Sequence, residues 1–292
     1  MVSTMGEGPR SGSASTPADS LHLRCPDCGA VAPLRGRTSC GGCGRVFEAV
    51  EGVWDLRPGA PGAVKLNEDR VHEDPGPPTW RRLLLHKRHW IQWADADWLP
   101  TIVGPATRAF LEIGGGLCYA SALAKARAPA ACVVATDVSP RYLRRHAVRV
   151  GAIFGSPADV YAAADAESLP FDDGQFDAVY SQVVLYRVLD PVRALREVSR
   201  VLAPGGRYLG IERASPWAAP WRGREARAMR ARGARAGIAE RPIRFGEWRG
   251  IAAAAGVDAT LAPVPGRRVR SPLVRRLGNA ARPIYVSLSF TR

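Results

Sequence analysis

Short apolar runs alternate with longer segments of helical periodicity between residues 105 and 292. An apolar run bounded by turn residues is typical of a buried strand, and apolar residues spaced three or four apart are typical of a helix. The runs predict strands at 108–113, 132–137, 159–164, 175–181, 206–212, 257–263 and 284–291. The periodic segments predict helices at 117–127, 139–149, 190–202 and 244–256. This alternation indicates an α/β fold, in which helices cover both faces of a doubly wound, mostly parallel seven-stranded sheet.

The pattern changes before residue 105, and it divides the chain into four parts. Residues 1–20 are rich in Ser, Gly, Ala and Pro, which predicts a disordered leader. Residues 21–57 hold four of the cysteines and have the alternation of short hairpins, which predicts a small zinc ribbon. Residues 58–104 are predicted to be a Pro-rich linker and an aromatic cap helix, and residues 105–292 the α/β domain.

The first predicted strand of this domain ends in an acid and a glycine-rich turn, LEIGGGLC at 111–118. The next predicted strand ends at Asp137, one helix and one strand further on. Glycines let the backbone approach a ligand, and an acid at about 20 residues' distance suits ribose hydroxyls. The pattern indicates a nucleotide-type cofactor site, although a glycine turn alone also fits an ordinary connection between a strand and a helix.

Three later segments, at 164–171, 176–191 and 201–212, follow in a fixed order. Together with the glycine turn they resemble class I S-adenosylmethionine (SAM) dependent methyltransferases of the UbiE-like kind, over roughly residues 110–212. The pattern of that family is acid-x-Gly-x-Gly-x-Gly. Cys118 stands here in place of its last glycine. The resemblance implies a Rossmann-like fold that moves a methyl group from SAM to an acceptor.

Open α/β sheets bind ligands at the carboxyl ends of their strands. By the resemblance, the glycine turn lies beneath the amino-acid part of SAM, and Asp137 accepts both ribose hydroxyls. The Asp165 carboxylate suits the adenine amino group, and the Ala166 amide suits a ring nitrogen. The expected SAM-binding residues are Glu112, Gly114, Gly116, Asp137, Val138, Asp165, Ala166, Ser181 and Gln182.

A general base is required only if the acceptor must lose a proton in the reaction. Family members often carry His at the position of Tyr186 or Arg187, and this chain has none there. The remaining candidates for a catalytic residue are His86, His89, Tyr186 and Glu212. For the histidines, which share the cap helix with four tryptophans, packing is the alternative interpretation.

Four cysteines form two pairs, Cys25 with Cys28 and Cys40 with Cys43, each followed by a glycine. Four thiolates in a tetrahedron are the ligand set that Zn²⁺ prefers, and they leave no open position for catalysis. The sequence predicts a structural zinc. A ribbon of this size has little core, so loss of the metal is expected to loosen residues 21–57 and to leave SAM binding largely intact.

Basic residues are concentrated at the C-terminal end of the chain. Residues 213–292 contain 17 arginines and four acids, so they carry +13 of the total charge of +14. A basic surface attracts nucleic acid and other anions, although solvated helix faces are the alternative interpretation. No apolar run reaches the roughly 20 residues of a membrane span, so a cytoplasmic protein without a membrane partner is expected.

The favoured function is methyl transfer from SAM to an O, N or C atom of a small-molecule acceptor. The positive charge of the chain is compatible with an anionic acceptor. An rRNA guanine N-methyltransferase is one alternative, since that family similarly joins a cysteine ribbon to a SAM domain. Its ribbon usually ends in Cys-x4-His, unlike the one seen here. A SAM-binding or scaffold protein without turnover is the second alternative.

Overall fold

The computed structural model describes residues 20–59, 80–214, 227–228, 230–231, 233–235, 238–241, 243–264 and 285–292, with the side chains of residues 80–84 and 86 left out. The predicted disordered leader lies outside the described residues apart from Ser20, and so does most of the linker. Of the arginines between residues 222 and 249, Arg222, Arg224 and Arg232 lie outside them as well.

The described residues form thirteen short or medium strands. They are β1 (His22–Arg24), β2 (Val31–Pro33), β3 (Thr38–Ser39), β4 (Val46–Phe47), β5 (Ala49–Val50), β6 (Val53–Asp55), β7 (Ala109–Ile113), β8 (Cys132–Asp137), β9 (Val160–Ala163), β10 (Phe176–Gln182), β11 (Leu202–Arg213), β12 (Thr260–Val264) and β13 (Tyr285–Thr291). The last seven of these correspond to the seven strands that the apolar runs predict. Strand β11 begins earlier than predicted, because Phe176 pairs with Leu202 and Ala178 with Arg207, so residues 203–206 form a bulge.

A large mostly parallel sheet forms the centre of the molecule, which confirms the predicted fold class. Its strand order is β12-β13-β11-β10-β7-β8-β9-β6-β5. Strand β13 is antiparallel to both of its neighbours, as expected for the last strand, whereas β11, β10, β7, β8 and β9 run parallel. All residues of β7, β8 and β9 are buried, as in a sheet that helices cover on both faces.

Among the described residues, five larger helical segments accompany the sheet, and a short π-helical turn (Ala94–Trp98) and a 3-10 turn (Leu99–Thr101) follow the first of them. The five larger segments are α1 (Trp80–Trp93), α2 (Tyr119–Arg127), α3 (Pro140–Tyr142, Leu143–Ala147 and Val148–Ile153), α4 (Pro191–Val201) and α5 (Phe245–Ala255). Two of the starts follow from capping chemistry: Ser139 and Asp190 accept hydrogen bonds from the first turns of α3 and α4, and each precedes a proline. Gly256, with φ at +77°, ends α5 in the left-handed conformation that glycine permits.

The cap helix α1 packs through an aromatic cluster. The ring of Trp90 lies 4.8 Å from that of Tyr285 on β13 and 5.6 Å from that of Trp93, both edge-on. Such edge-to-face pairs contribute about 0.5–1.5 kcal/mol each beyond their buried area. The cluster therefore fixes the cap helix against the far half of the sheet. Within the described ranges, every helix is too short or too polar to span a bilayer.

The cysteine-rich segment, residues 20–59, contributes β5 and β6 to the large sheet. The sheet therefore has nine strands where the sequence predicts seven. Strand β6 pairs in parallel with β9 and antiparallel with β5, so these two strands cover an edge that would otherwise expose unpaired backbone groups. The buried side chains of Leu23, Phe47 and Leu56 belong to the same apolar core as Leu169 and Phe171 of the α/β domain.

Candidate functional site

The glycine turn after β7 needs its glycines. Gly114 and Gly116 have φ values of +61° and +58°, and a Cβ on Gly114 would lie 2.6 Å from the side chain of Val184. Cys118, which replaces the family's last glycine, also adopts a left-handed backbone with φ at 52°. The chain thus keeps the backbone path that a glycine would take there, at a cost of roughly 1–2 kcal/mol.

Glu112 lies beneath this turn and is 3% exposed. Its Oε2 accepts hydrogen bonds from the Ser121 amide at 2.7 Å and the Ser121 hydroxyl at 2.6 Å. Burial raises the pKa of Glu112 to about 7, although the two bonds from Ser121 oppose the rise. A group that carries positive charge would be favoured beside this carboxylate.

Asp137 connects the end of β8 to the glycine turn. Its Oδ2 accepts a hydrogen bond from the Gly116 amide at 2.9 Å, and its Oδ1 accepts one from the Ser139 amide at 3.1 Å. The Asp137 carboxylate thereby links the turn after β7 to the turn after β8. The carbonyl of the next residue, Val138, accepts a hydrogen bond at 3.3 Å from Arg57 of the cysteine-rich segment.

Asp165 and Ala166 follow β9 in a tight turn. The Oδ1 of Asp165 accepts a hydrogen bond from the Glu167 amide at 3.0 Å, which closes the turn. Both Asp165 and Ala166 line the same cavity as Asp137. The structure thus brings the predicted residues of β7, β8 and β9 to one place.

Two of the predicted cofactor residues, Ser181 and Gln182, lie at the end of β10, but their side chains lie in different places. Gln182 lines the cavity, and its Oε1 accepts hydrogen bonds from the hydroxyls of Tyr119 and Tyr180. Ser181 lies in the core instead, where its hydroxyl is 2.7 Å from that of Tyr208 and donates to Glu212 at 3.2 Å. The expected contact of Ser181 with SAM therefore has no support in this arrangement.

Glu212, at the end of β11, is fully buried. Its Oε2 accepts hydrogen bonds from the amides of Val184 at 3.2 Å and Leu185 at 3.0 Å. Burial raises the pKa of Glu212 to about 7, against these bonds. Glu212 thus holds the loop after β10, in which Val183 has a positive φ of 62°, and it does not itself line the cavity.

The other candidates for a catalytic residue are placed differently. Tyr186 lines the cavity, and its hydroxyl accepts a hydrogen bond at 2.8 Å from Nε of Arg187. His89 contacts Trp90 and Trp93, with ring centroids 5.2 and 5.9 Å away, so its ring belongs to the aromatic cluster. The side chain of His86 lies outside the described residues.

A cavity of about 340 Å³ lies at the carboxyl ends of the strands and is lined by Glu112, Asp137, Asp165, Gln182 and Tyr186 among others. Among the described lining residues, the acids lie at or just after the ends of β7, β8 and β9, and the two cations, Lys87 and Arg187, lie on α1 and in the loop after β10. Partial desolvation of the ammonium, together with the charge of Arg187, lowers the pKa of Lys87, although the side chain as a whole is exposed. The described lining residues are Lys87, Glu112, Ile113, Gly114, Gly115, Gly116, Leu117, Tyr119, Asp137, Val138, Tyr142, Ala164, Asp165, Ala166, Gln182, Val183, Val184, Tyr186, Arg187 and Val188.

A second cluster is formed by the predicted metal ligands. The sulfur atoms of Cys25, Cys28, Cys40 and Cys43 all lie within 4.8 Å of one another. The pairs Cys25–Cys43 and Cys28–Cys40 are separated by 3.7 and 3.4 Å. A tetrahedral site with Zn–S bonds of about 2.3 Å requires separations of about 3.8 Å, so these two separations are compatible with a tetrahedral metal site.

Comparison with known proteins indicates the kind of domain to which this cavity belongs. Residues 111–210 match the sequence profile of a family described as a methyltransferase domain. Over these residues the chain carries a methyltransferase domain. The matched residues run from the glycine turn to β11, so they include most of the described cavity.

Two curated methyltransferases illustrate how far this similarity extends. The chain is 42% identical over 86 residues to the ubiquinone/menaquinone biosynthesis C-methyltransferase UbiE of Idiomarina loihiensis, covering 29% of this chain and 34% of that protein. It is 38% identical over 110 residues to the demethylmenaquinone methyltransferase of Thermus thermophilus, covering 37% and 48%. The chain thus spans between a third and a half of the length of these two relatives.

Solved methyltransferase structures share the fold over a longer stretch. Geranyl diphosphate C-methyltransferase from Streptomyces coelicolor aligns with a TM-score of 0.57 and 16% identity, covering 80% of this chain and all of that one. A chain from a Haloferax volcanii complex of the Trm112 methyltransferase activator with a putative methyltransferase aligns at 0.55 and 19%, covering 78% and 97%. At these identities the likeness concerns the fold of the methyltransferase domain.

Several cavity residues were not predicted from the sequence. Tyr119 and Tyr142 follow the turns after β7 and β8, so their positions in the chain could have indicated them. Lys87 and Arg187 gave no comparable signal, because they approach the cavity from the cap helix and the loop after β10, whose paths depend on tertiary packing.

Proposed function

We propose that this chain binds SAM in the cavity at the strand ends and transfers its methyl group to a small acceptor there. The observation that carries the proposal is the convergence of the glycine turn, Asp137 and Asp165 on one cavity, which continues to Tyr186 and Lys87. The family match over residues 111–210 supports it independently.

The residues present fit SAM. The Asp137 carboxylate is proposed to accept the ribose hydroxyls, Asp165 and Ala166 to contact the adenine, and Glu112 to face the amino-acid ammonium. When bound, SAM supplies an electrophilic methyl group on a positively charged sulfur. Gln182 and the loop after β10 would then orient the acceptor and exclude water, so that positioning supplies much of the rate enhancement.

The acceptor is proposed to be anionic. Lys87 and Arg187 are the two cations among the described lining residues, and they belong to α1 and to the loop after β10, not to the strands that carry the acids. A carboxylate or phosphate of the acceptor could pair with these side chains and would be oriented by charge-assisted hydrogen bonds.

Tyr186 is proposed as the residue that handles a proton, if the acceptor must lose one. Its hydroxyl already accepts a hydrogen bond from Arg187, so its own proton can be directed elsewhere in the cavity. Glu212 is proposed to act through the loop that it holds and not as a base.

C-methylation of a quinone-type acceptor is a second candidate, because both curated relatives named above carry quinone names. Their similarity covers only part of each protein, so the acceptor end of the cavity is not matched. An rRNA substrate and a scaffold without turnover remain alternatives with less support. A cytoplasmic location also stays a prediction.

A labelling experiment separates these possibilities. The protein is incubated with [methyl-³H]SAM and either ribosomal RNA or a cell extract of small molecules, and the extract is then fractionated by anion exchange and by organic extraction. The proposal expects label in the small molecules that the anion exchanger retains. Label in the organic phase would favour a quinone, label in RNA would favour the alternative substrate, and SAM binding without any transfer would favour the scaffold.

We also propose that the four clustered cysteines hold one structural zinc ion. The sulfur separations fit a tetrahedral site, and Gly42 leaves room for the cluster, since a Cβ there would lie 2.9 Å from the Cys28 sulfur. With four protein ligands, such a site offers no open position for a substrate.

A further inference from the structure

The cysteine-rich segment, residues 20–59, forms one edge of the large sheet. It lies beside the two loops that carry Asp137 and Asp165, which are called the cofactor loops. Strand β6 pairs with β9 through Val53–Tyr161, Trp54–Ala162 and Asp55–Ala163. The pairing is extended by the amide of Leu56, which donates to the carbonyl of Ala163 at 2.9 Å. The turn that carries Asp165 and Ala166 begins directly after this last hydrogen bond.

Arg57 reaches from this segment to the other cofactor loop. Its Nη1 donates to the carbonyl of Val138, the residue that follows Asp137, at 3.3 Å. The same guanidinium forms two hydrogen bonds with Asp55, from Nε at 2.9 Å and from Nη2 at 2.7 Å. Its side chain is only 14% exposed, so the fork is held in one orientation.

A second connection holds the far end of the loop after β9. The amide of Arg24 donates to the carbonyl of Pro170 at 3.2 Å, and its guanidinium donates to Asp172 at 2.6 Å and to Asp173 at 3.0 Å. Leu23, beside it, bridges to Phe171. Residues 164–173 are therefore fixed at both ends by the cysteine-rich segment.

We propose that Arg57 is a positioning residue for the adenosine half of the cofactor site, and that metal binding by the four cysteines raises the affinity for SAM. This inference rests on the proposed function, since it concerns the same SAM site. It also replaces the expectation that loss of the metal leaves SAM binding intact, which assumed a ribbon separate from the sheet.

The physical reason is the small size of the ribbon. The buried apolar side chains of residues 20–59 belong to a core that is shared with the α/β domain. The turns around the four cysteines therefore have little core of their own and depend on the metal for their order. Without the metal, the carbonyls of Val138 and Ala163 lose their partners, and the loops that carry Asp137 and Asp165 gain freedom. SAM must restrict that freedom when it binds, so its apparent affinity falls.

The first experiment compares variants of the zinc-loaded full chain by calorimetry with SAM. Loss of one hydrogen bond predicts that Arg57→Ala raises the Kd for SAM about three- to tenfold. Zinc content should stay at one ion per chain, and the KM for SAM should rise while kcat changes little. Arg57→Lys, which retains a donor for Val138 without the fork to Asp55, should recover part of the affinity.

Arg37→Ala is the matched control. Arg37 belongs to the same segment and forms an ion pair at 3.5 Å with Glu48, but both side chains are exposed and neither contacts a cofactor loop. Its SAM affinity should equal that of the unmodified protein.

The second experiment uses the reciprocity of coupled binding, by which SAM must raise the affinity for zinc by the same factor as zinc raises that for SAM. Zinc is titrated against a competing chelator with and without saturating SAM, and hydrogen exchange is followed in residues 137–139 and 164–171. SAM should tighten zinc binding about three- to tenfold or more, and removal of zinc should speed exchange in both loops.

Unchanged SAM affinity in Arg57→Ala, or equal zinc affinity with and without SAM, would overturn the inference while the SAM site itself stood. If the zinc-loaded, unmodified protein failed to bind SAM, the proposed function would fail first and the inference with it.

Discussion

Two buried glutamates show how single residues shape the cofactor end of the sheet. Burial raises the pKa of both Glu112 and Glu212 to about 7. A carboxyl whose pKa is higher in the folded protein than in the unfolded chain favours folding while it is protonated. Stability from such a group is therefore lost as the pH rises from about 4.5 to about 7, in contrast to surface carboxylates such as Asp173, whose pKa Arg200 lowers.

The first prediction concerns the pH dependence of stability for Glu112. Between pH 5 and 8, the free energy of unfolding should fall more in the unmodified protein than in Glu112→Gln, by up to about 3 kcal/mol. Urea denaturation of both zinc-replete proteins measures this, and their difference removes contributions that they share, including those of the cysteines. Parallel curves for the two proteins would show that Glu112 does not titrate as proposed.

A second prediction at this scale separates support from catalysis at Glu212. A general base usually contributes a hundredfold or more to the rate. If Glu212 only holds the amides of Val184 and Leu185, Glu212→Gln should change kcat less than about fivefold and leave the pH profile unmoved. Glu212→Ala should instead destabilise the fold by about 2–4 kcal/mol, because buried amides lose their acceptor. A hundredfold loss of kcat in a stable Glu212→Gln protein would return Glu212 to the list of bases.

At the scale of elements, the cysteine cluster gives a direct prediction. Cys40→Ser should bind less than one zinc per chain and loosen residues 21–57, because the site loses one of four ligands. Cys132→Ser is the control, since Cys132 is buried in β8 outside the cluster and should leave the metal content at one. Elemental analysis measures both. A metal-replete, unmodified protein without zinc would contradict the assignment.

Local sequence patterns predicted the elements of the methyltransferase domain well. The apolar runs of β7, β8, β9 and β10 place each strand within about two residues, because a strand that is buried on both faces must be almost wholly apolar. The pairing of β6 with β9 could not be predicted in this way. Strand β6 has three residues, and its partner lies more than 100 residues away, so nothing in the local pattern names that partner.

The residues of the site also fall into those that local sequence predicts and those that depend on tertiary packing. The position of Glu112, Asp137 and Asp165 at the cavity was predictable, because each lies at or just after the carboxyl end of a strand, where ligands bind. Ser181 was expected at the site for the same reason, but the alternation of side chains along β10 turns it into the core, towards Tyr208. Lys87 and Arg187 depend on how a helix and a loop pack over the cavity, which short-range spacing does not determine.

At the scale of the whole molecule, two positive side chains from distant parts of the chain meet at the cavity, and this leads to a prediction about the acceptor. If Lys87 and Arg187 bind an acceptor anion, the KM for the acceptor should rise with salt while SAM affinity changes little. Lys87→Met should raise that KM about tenfold and weaken its salt dependence. Arg88→Met, on the exposed part of the same helix, is the control. Turnover independent of salt in all three proteins would contradict an anionic acceptor.

The binding of SAM at Asp137 underlies both the proposed methyl transfer and the positioning role inferred for Arg57. Calorimetry with SAM on the zinc-loaded protein, on Asp137→Ala and on the control Asp95→Ala tests it most directly. Asp95 forms an exposed ion pair with Arg127 and does not line the cavity. Hydrogen bonds to a charged group are worth about 1.5–3 kcal/mol each, so Asp137→Ala should weaken binding at least tenfold while Asp95→Ala should not. Equal SAM affinity in all three proteins would contradict the assignment of this cavity as the SAM site.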